Sequence, residues 1–250
     1  MANEYWLSDQ QWVAIEPLIP MNRRGVKPGR NREVISGILH VLKFGCRWRD
    51  CPEIYGPHTT IYNRFNRWSK TGIWDTMLRS LVTMEAADLQ CIDSTTSKAH
   101  RCSAGGEGGA DEQAIGRSRG GRTTKIHAVA DRAGRLLAFD LTPGQRGDIR
   151  PAAALLATLP KPDYVLADTA YDADKLRQSV AERGATAVIK PNPTRTNVPA
   201  FDKAVYRLRN LIERAFSHLK DWRRVATRYD KLARNFRATV ALATIMIWWI

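Results

Sequence analysis

Leu89-Gln-Cys-Ile-Asp-Ser-Thr95, LQCIDST, is a short apolar run that ends in an acid instead of repeating every three or four residues. Such a run reads as a β-strand. The same pattern recurs in DYVLAD, residues 163–168. Side chains at the carboxyl ends of strands in an open α/β sheet point into the crevice where ligands bind. Asp93 and Asp168 are therefore candidates for one site, where a divalent cation of the magnesium type takes a few carboxylates plus water and phosphate oxygens.

The neighbouring sequence supplies the rest of a sheet. TKIHAVAD (124–131) and RLLAFDLT (135–142) are strands separated by Arg132, Ala133 and Gly134, which predicts a hairpin. Asp148 is placed to cap a helix from Pro151 to about Thr158, and Asp172 to cap one that Gly184 stops. TAVIK (186–190) is a further strand, PNPTRTNVP (191–199) a linker, and the last third is helical and basic. Glycine and charge between Ser103 and Arg122 predict a loop. Strand, hairpin, helix, strand, helix, strand and helices give an α/β chain with the order of a ribonuclease-H-like sheet.

The segment YRLRNLIERAFSHLKDW (206–222) offers a third carboxylate. Counting about 100° per residue, Tyr206, Arg209, Glu213 and Lys220 share one side. Leu208, Leu211, Ile212, Ala215, Leu219 and Trp222 lie opposite and form the packing stripe. Arg209 and Glu213 are also spaced as a surface ion pair worth a few tenths of a kcal/mol, and the periodicity alone does not separate the two roles.

Ahead of the sheet, the chain to about Ala87 reads as helices. Ser8 caps the first, and Val34, Ile35, Ile38, Leu39, Val41 and Leu42 set the spacing of the second. The basic stretch MNRRGVKPGRN (21–31) joins them. A third helix, TTIYNRFNRWSKTG, has Thr59 or Thr60 as cap, Gly72 as stop and a core stripe of Ile61, Phe65 and Trp68. Asn63, Arg64, Asn66 and Arg67 are left outward, as on a helix that reads a DNA groove or on a solvated basic face.

Composition limits the partners. There are 39 Lys+Arg against 25 Asp+Glu, a formal net charge of +14, which points to a polyanion such as nucleic acid. The start MANEYWLSDQQW lacks the basic and apolar blocks of a secretory signal. The apolar run from Val240 to Ile250 is shorter than the roughly 20 residues of a membrane span. A buried terminal helix, no membrane partner and a cytoplasmic, nucleoid-associated location are expected. Cys46, Cys51 and His58 have loose spacing for zinc, and packing is the reading preferred for them.

Tyr-x2-Arg-x3-Glu-x6-Lys at 206–220 matches a known signature, and IDSTTSKAH, GRSRGGRTTKIHAVAD, LTPGQRGDI and LADTAYDAD accompany it in order. With these motifs the chain, from about residue 5 to its end, resembles bacterial insertion-sequence transposases of the DDE type, particularly insertion sequence family five. The resemblance implies a helical, helix-turn-helix-like DNA-binding domain over 1–87 and a ribonuclease-H-like catalytic domain over 88–250. It implies that Asp93, Asp168 and Glu213 bind two Mg2+, with Mn2+ able to substitute, for DNA strand cleavage and strand transfer.

In that setting Arg209 and Lys220 are phosphate contacts and Tyr206 positions the strand end. Asn63, Arg64 and Arg67 would contact the repeats. The implied partners are double-stranded DNA, as terminal inverted repeats and as target, and a second copy of the chain on that DNA. Two rival readings are a DNA-binding regulator that does not cut and a ribonuclease-H-like nuclease that hydrolyses without joining. Asp168 is preferred to Asp172 as the strand-end ligand, and His100 and His127 are assigned to packing or substrate contact.

Overall fold

A computed structural model of the chain describes residues 4–20, 30–82 and 88–250. The stretch MNRRGVKPGRN lies outside these except for Arg30 and Asn31, as does the segment just before the expected boundary at 87/88. The first helices are α1 (Asp9–Ile15), α2 (Asn31–Phe44), α3 (His58–Lys70) and α4 (Ile73–Leu81). After them come β1 (Leu89–Ala99), α5 (Gly109–Glu112), β2 (Gly116–Ser118), β3 (Gly121–Ala130), β4 (Leu136–Pro143) and α6 (Ala152–Ala157). Then follow β5 (Tyr164–Ala167), α7 (Asp174–Glu182), β6 (Thr186–Ile189), α8 (Lys203–Tyr206), α9 (Asn210–Lys220), α10 (Arg223–Ala226) and α11 (Ala233–Trp248).

The chain forms two compact units that cut across the linear division at 87/88. Residues 1–82, 100–107 and 219–250 make one, and residues 83–99 and 108–218 the other. The physical reason is α11: nearly every residue from Asn235 to Met246 is buried, and an apolar helix of this kind needs covering on all sides. It packs against α3 and α4, so the apolar tail expected to be a buried helix is one, among the amino-terminal helices.

In the helical unit, Ser8 caps α1 with a full capping box, and residues Val34 to Leu42 of α2 are all buried. Helix α3 begins at His58 after Pro57 with no side-chain cap, so neither Thr59 nor Thr60 plays that part; Gly72, at φ 73°, separates α3 from α4. Ile61, Phe65 and Trp68 are buried as their spacing requires. Asn63 and Arg67 are exposed, but Arg64 turns inward. Its Nη1 donates to Asn31 Oδ1 at 2.6 Å and its guanidinium lies 5.0 Å over the Trp68 ring. Asn66 Oδ1 accepts from Asn235 Nδ2 at 3.2 Å. Half of the expected outward face therefore serves the bundle itself.

In the α/β unit, β1 pairs antiparallel with β3 and parallel with β5, and β5 pairs parallel with β6. The other edge of β3 carries β4 and, at its start, β2. The path β4-β3-β1-β5-β6, three antiparallel strands followed by two parallel ones, is the ribonuclease-H-like sheet. Val165, Leu166, Ile92, Val129 and Ile126 fill its core. The β3–β4 hairpin closes as predicted, with Asp131 Oδ1 accepting from Ala133 N and Arg135 N and Gly134 at φ 77°.

Three local readings change. Helix α6 starts after Pro151 without a side-chain cap, so Asp148 is free for other work. Helix α7 starts at Asp174 with Ala173 as its cap, because Asp172 is taken elsewhere. The glycine-rich stretch 103–122 contains α5 and a tight hairpin of β2 with β3, since its glycines supply the turn and the buried Ile115 and Thr124 anchor its base.

Candidate active site

Asp93 lies in the middle of β1, not at its end, yet its position is a strand-end position in effect. The parallel pairing of β1 with β5 covers Leu89–Cys91 against Tyr164–Leu166. Continued by two residues, that register brings Asp93 level with Asp168, just past the last residue of β5. Neighbouring strands are about 4.8 Å apart, so two carboxylates meet where the parallel strands separate.

The third carboxylate reaches the same place through an arginine. Arg209 Nη1 donates to Asp93 Oδ2 at 2.7 Å, and its Nη2 donates to Glu213 Oε1. The Tyr206 ring stacks 5.8 Å from the same guanidinium. The chain here is not one continuous α-helix: a 3-10 turn at Arg207–Arg209 interrupts α8 and α9, which still leaves Arg209 and Glu213 on one side. Lys220 is the last residue of α9 and falls in the helical unit, where burial pulls its ammonium pKa down. Asn63, Arg64 and Arg67 also belong to that unit.

Electrostatics set Asp93 apart. Burial pushes its carboxyl up to about 6, and the charges of Asp168 and Glu213 add to the effect, against the Ser94 amide hydrogen bond and Arg209, which oppose it. Asp168 is differently placed: its Oδ1 accepts from Ala170 N at 2.9 Å and opens the turn Thr169–Tyr171. Asp172 is engaged elsewhere. Its side chain is 0 % exposed, held by Arg177 Nε at 2.8 Å and by Arg195 Nε and Asn192 N at 2.7 Å each.

Sequence reasoning missed a polar chain beside Asp93. Ser94 donates its amide to Asp93 Oδ1 at 2.7 Å and its hydroxyl to Asp148 Oδ1 at 2.6 Å. Lys125 Nζ donates to the same Asp148 oxygen at 2.7 Å. Asp148 thus braces the strand beside Asp93 through Ser94, and its appearance in LTPGQRGDI was the available signal. Tyr171, fully buried, faces the charges of Asp93, Asp148 and Asp168, which together with burial hold its phenol neutral. His127 is packed, 0 % exposed with Nε2 2.8 Å from Thr142 Oγ1, and Cys51 is buried with its thiol toward Gly37 O.

The donor set suits a hard divalent cation, since all three groups are carboxylates. As arranged, Arg209 supplies the positive charge between two of them. Among the described residues no three His, Cys, Asp or Glu side chains close around a common point.

A ribonuclease-H-like sheet with acids gathered where its parallel strands part defines a class of enzymes acting on phosphodiesters of nucleic acid. Residues 7–78 match the family described as "Putative transposase of IS4/5 family", and residues 85–248 match "Transposase DDE domain". The chain belongs to the DDE transposase family: it is a DNA transposase, a metal-dependent enzyme that cuts and transfers DNA strands.

Among its relatives is a "Putative transposase for insertion sequence element IS6501" of Brucella ovis, 47% identical over 127 residues, covering 50% of this chain and 98% of the relative. An "Insertion element IS402 uncharacterized 16.2 kDa protein" of Burkholderia cepacia is 41% identical over 91 residues, covering 33% of this chain and 62% of that one. Among solved structures, a piggyBac transposase synaptic complex with hairpin DNA aligns over 95% of this chain and 70% of its own, with TM-score 0.48 and 12% identity. No helix among the described residues is long and apolar enough to cross a membrane.

Proposed function

We propose that this transposase binds the terminal inverted repeats of an insertion sequence and uses Asp93, Asp168 and Glu213 to hold two Mg2+, for which Mn2+ can substitute. The observation that carries this reading is the strand register that brings Asp93 level with Asp168, with Glu213 joined to Asp93 through Arg209. Bound there, the metal supplies activation of the attacking oxygen and charge stabilisation at the phosphate. The residues of the chain do the remaining work. Asp93 and Asp168 anchor the site to the sheet. Glu213 approaches from a helix and can adjust.

Arg209 balances the acids in the resting protein and turns to a DNA phosphate, its other natural partner, when substrate arrives. Tyr206 steadies that guanidinium and the strand end, and Lys220 adds a further phosphate contact. Asn63 and Arg67, exposed on α3, read the repeat, while Arg64 acts from behind by tying α3 to Asn31 at the start of α2. Two chains assemble on paired DNA ends, and the whole acts at the nucleoid.

The test is incubation of the chain with Mg2+ and duplex DNA carrying the element's ends. Nicking and strand transfer at the repeat boundary are expected from the native protein and neither from Asp168→Ala. Cleavage without joining by the native protein would favour a nuclease, repeat binding without cleavage would favour a regulator, and equal activity in the two proteins would remove Asp168 from the site.

A further inference from the structure

The hairpin of β2 and β3 carries an arrangement of charge that the reaction centre does not use. Its register sets Arg117 directly against Arg122 and Ser118 against Gly121, with Arg119 and Gly120 as the two-residue tip. Residues directly opposite in an antiparallel pair have Cβ atoms roughly 5 Å apart on one face, and like charges there are destabilising. Arg117, Arg119 and Arg122 are all exposed, and none of their guanidinium groups makes an ion pair or hydrogen bond with a described residue. No acid lies between Gly116 and Thr123 to compensate them. A fold tolerates such a cluster when a polyanion completes it.

The arm is also built to stay in place. At its base Thr124 Oγ1 donates to Ala114 O at 2.6 Å, and Ile115, Thr123 and Thr124 are buried. Ala114 is held at φ 52°, a left-handed conformation that a side chain rarely takes and that surrounding contacts must impose. A Cβ on Gly144 would fall 1.8 Å from Thr123 Oγ1, so the neighbouring loop is drawn in tightly against the hairpin. Strand β3 then runs without a break from Arg122 to Ala128, the residue paired with Asp93. At about 3.4 Å per residue the arm stands about 20 Å from Asp93, a distance equal to about six base pairs of duplex.

We propose that the β2–β3 hairpin is a phosphate clamp for duplex DNA, with Arg117, Arg119 and Arg122 gripping the backbone about six base pairs from the bond being cut. It rests on the reading that this site acts on duplex DNA. The contacts are to phosphate, so they fix register and carry no sequence preference.

The experiment measures the affinity of the full chain for a random-sequence duplex across a salt series, comparing native protein with the triple variants R117S/R119S/R122S and R117K/R119K/R122K. Each lost phosphate contact lowers the slope of log K against log salt by about 0.9. The serine variant should lose roughly 2.7 of that slope and bind more weakly at every salt tested. The lysine variant should keep the native slope, and all three proteins should melt together. Native slope in the serine variant, or an equal loss in the lysine variant, would overturn the clamp and leave the site reading intact. Failure of the native chain to bind any duplex would overturn both.

Discussion

Asp93→Asn will cost strand cleavage on the order of a thousandfold or more and will make the metal-free protein more stable, not less. The first effect follows from the several kcal/mol of charge stabilisation that a carboxylate-held metal contributes at a phosphate. The second follows from burial. Asp93 is 16 % exposed at its side chain, sits near Asp168 and Glu213, and has its carboxyl pushed up to about 6. An unfolded aspartate titrates near 4, so keeping it ionised in the fold at pH 7 costs roughly 3 kcal/mol.

The sign matters here. A carboxyl whose folded value is raised is no burden below pH 4, becomes one as pH rises toward 6, and stays one above that. An asparagine carries no such penalty, and Arg209 keeps Glu213 as partner. Denaturant melts in chelator should therefore show the variant ahead of native at pH 7 and level with it at pH 4. A variant less stable than native at pH 7 would mean that the Arg209 contact is the stronger force.

Asp172→Ala is expected to do the reverse, destabilising the α/β unit by about 3 kcal/mol, the scale for stripping the partner from buried opposite charges. Two arginines depend on this carboxylate, Arg177 at 13 % and Arg195 at 18 % side-chain exposure, as does the backbone of Asn192. Removing it also releases the linker after β6 from the end of β5. For a protein of this size the loss corresponds to a drop of roughly 6 to 12 °C in melting temperature.

Burial alone would raise the Asp172 carboxyl, but the Asn192 amide, Arg195 and Arg177 bring it below its usual range. The clamp therefore contributes stability above the unfolded carboxyl value near 4 and loses it as pH falls below. The deficit of the alanine variant should shrink in acid. A melting temperature within a degree or two of native at pH 7 would show that the arginines find water as readily.

How far the sequence could be read depends on the range of each interaction. The strands bearing Asp93 and Asp168 were visible because an apolar run ending in an acid is a local pattern. The parallel register that sets these acids side by side is not local, and no spacing in the chain encodes it. Asp148 and Asp172 both stand just before a helix, and local chemistry makes each a cap. Their actual partners, Lys125 and Ser94 for one and Arg177 and Arg195 for the other, are reached only through the sheet and the linker.

The apolar pattern of α11 announced a buried helix without saying which unit would cover it. Between Ser103 and Arg122, glycine content concealed a hairpin whose turn needs those same glycines. The break at Arg207–Arg209 was hidden because a 3-10 turn leaves no mark on a stripe of leucines.

Glu213 is where the two possible meanings of one contact diverge most. As half of a surface ion pair with Arg209 it is worth a few tenths of a kcal/mol, and Glu213→Gln would change the rate less than about twofold. As the third carboxylate of the site it is worth several kcal/mol. The deciding measurement is the single-turnover rate of Mg2+-dependent cleavage at an element end by Glu213→Gln beside native protein. A loss on the order of a thousandfold with unchanged DNA affinity is the predicted result; a rate within twofold of native would contradict it.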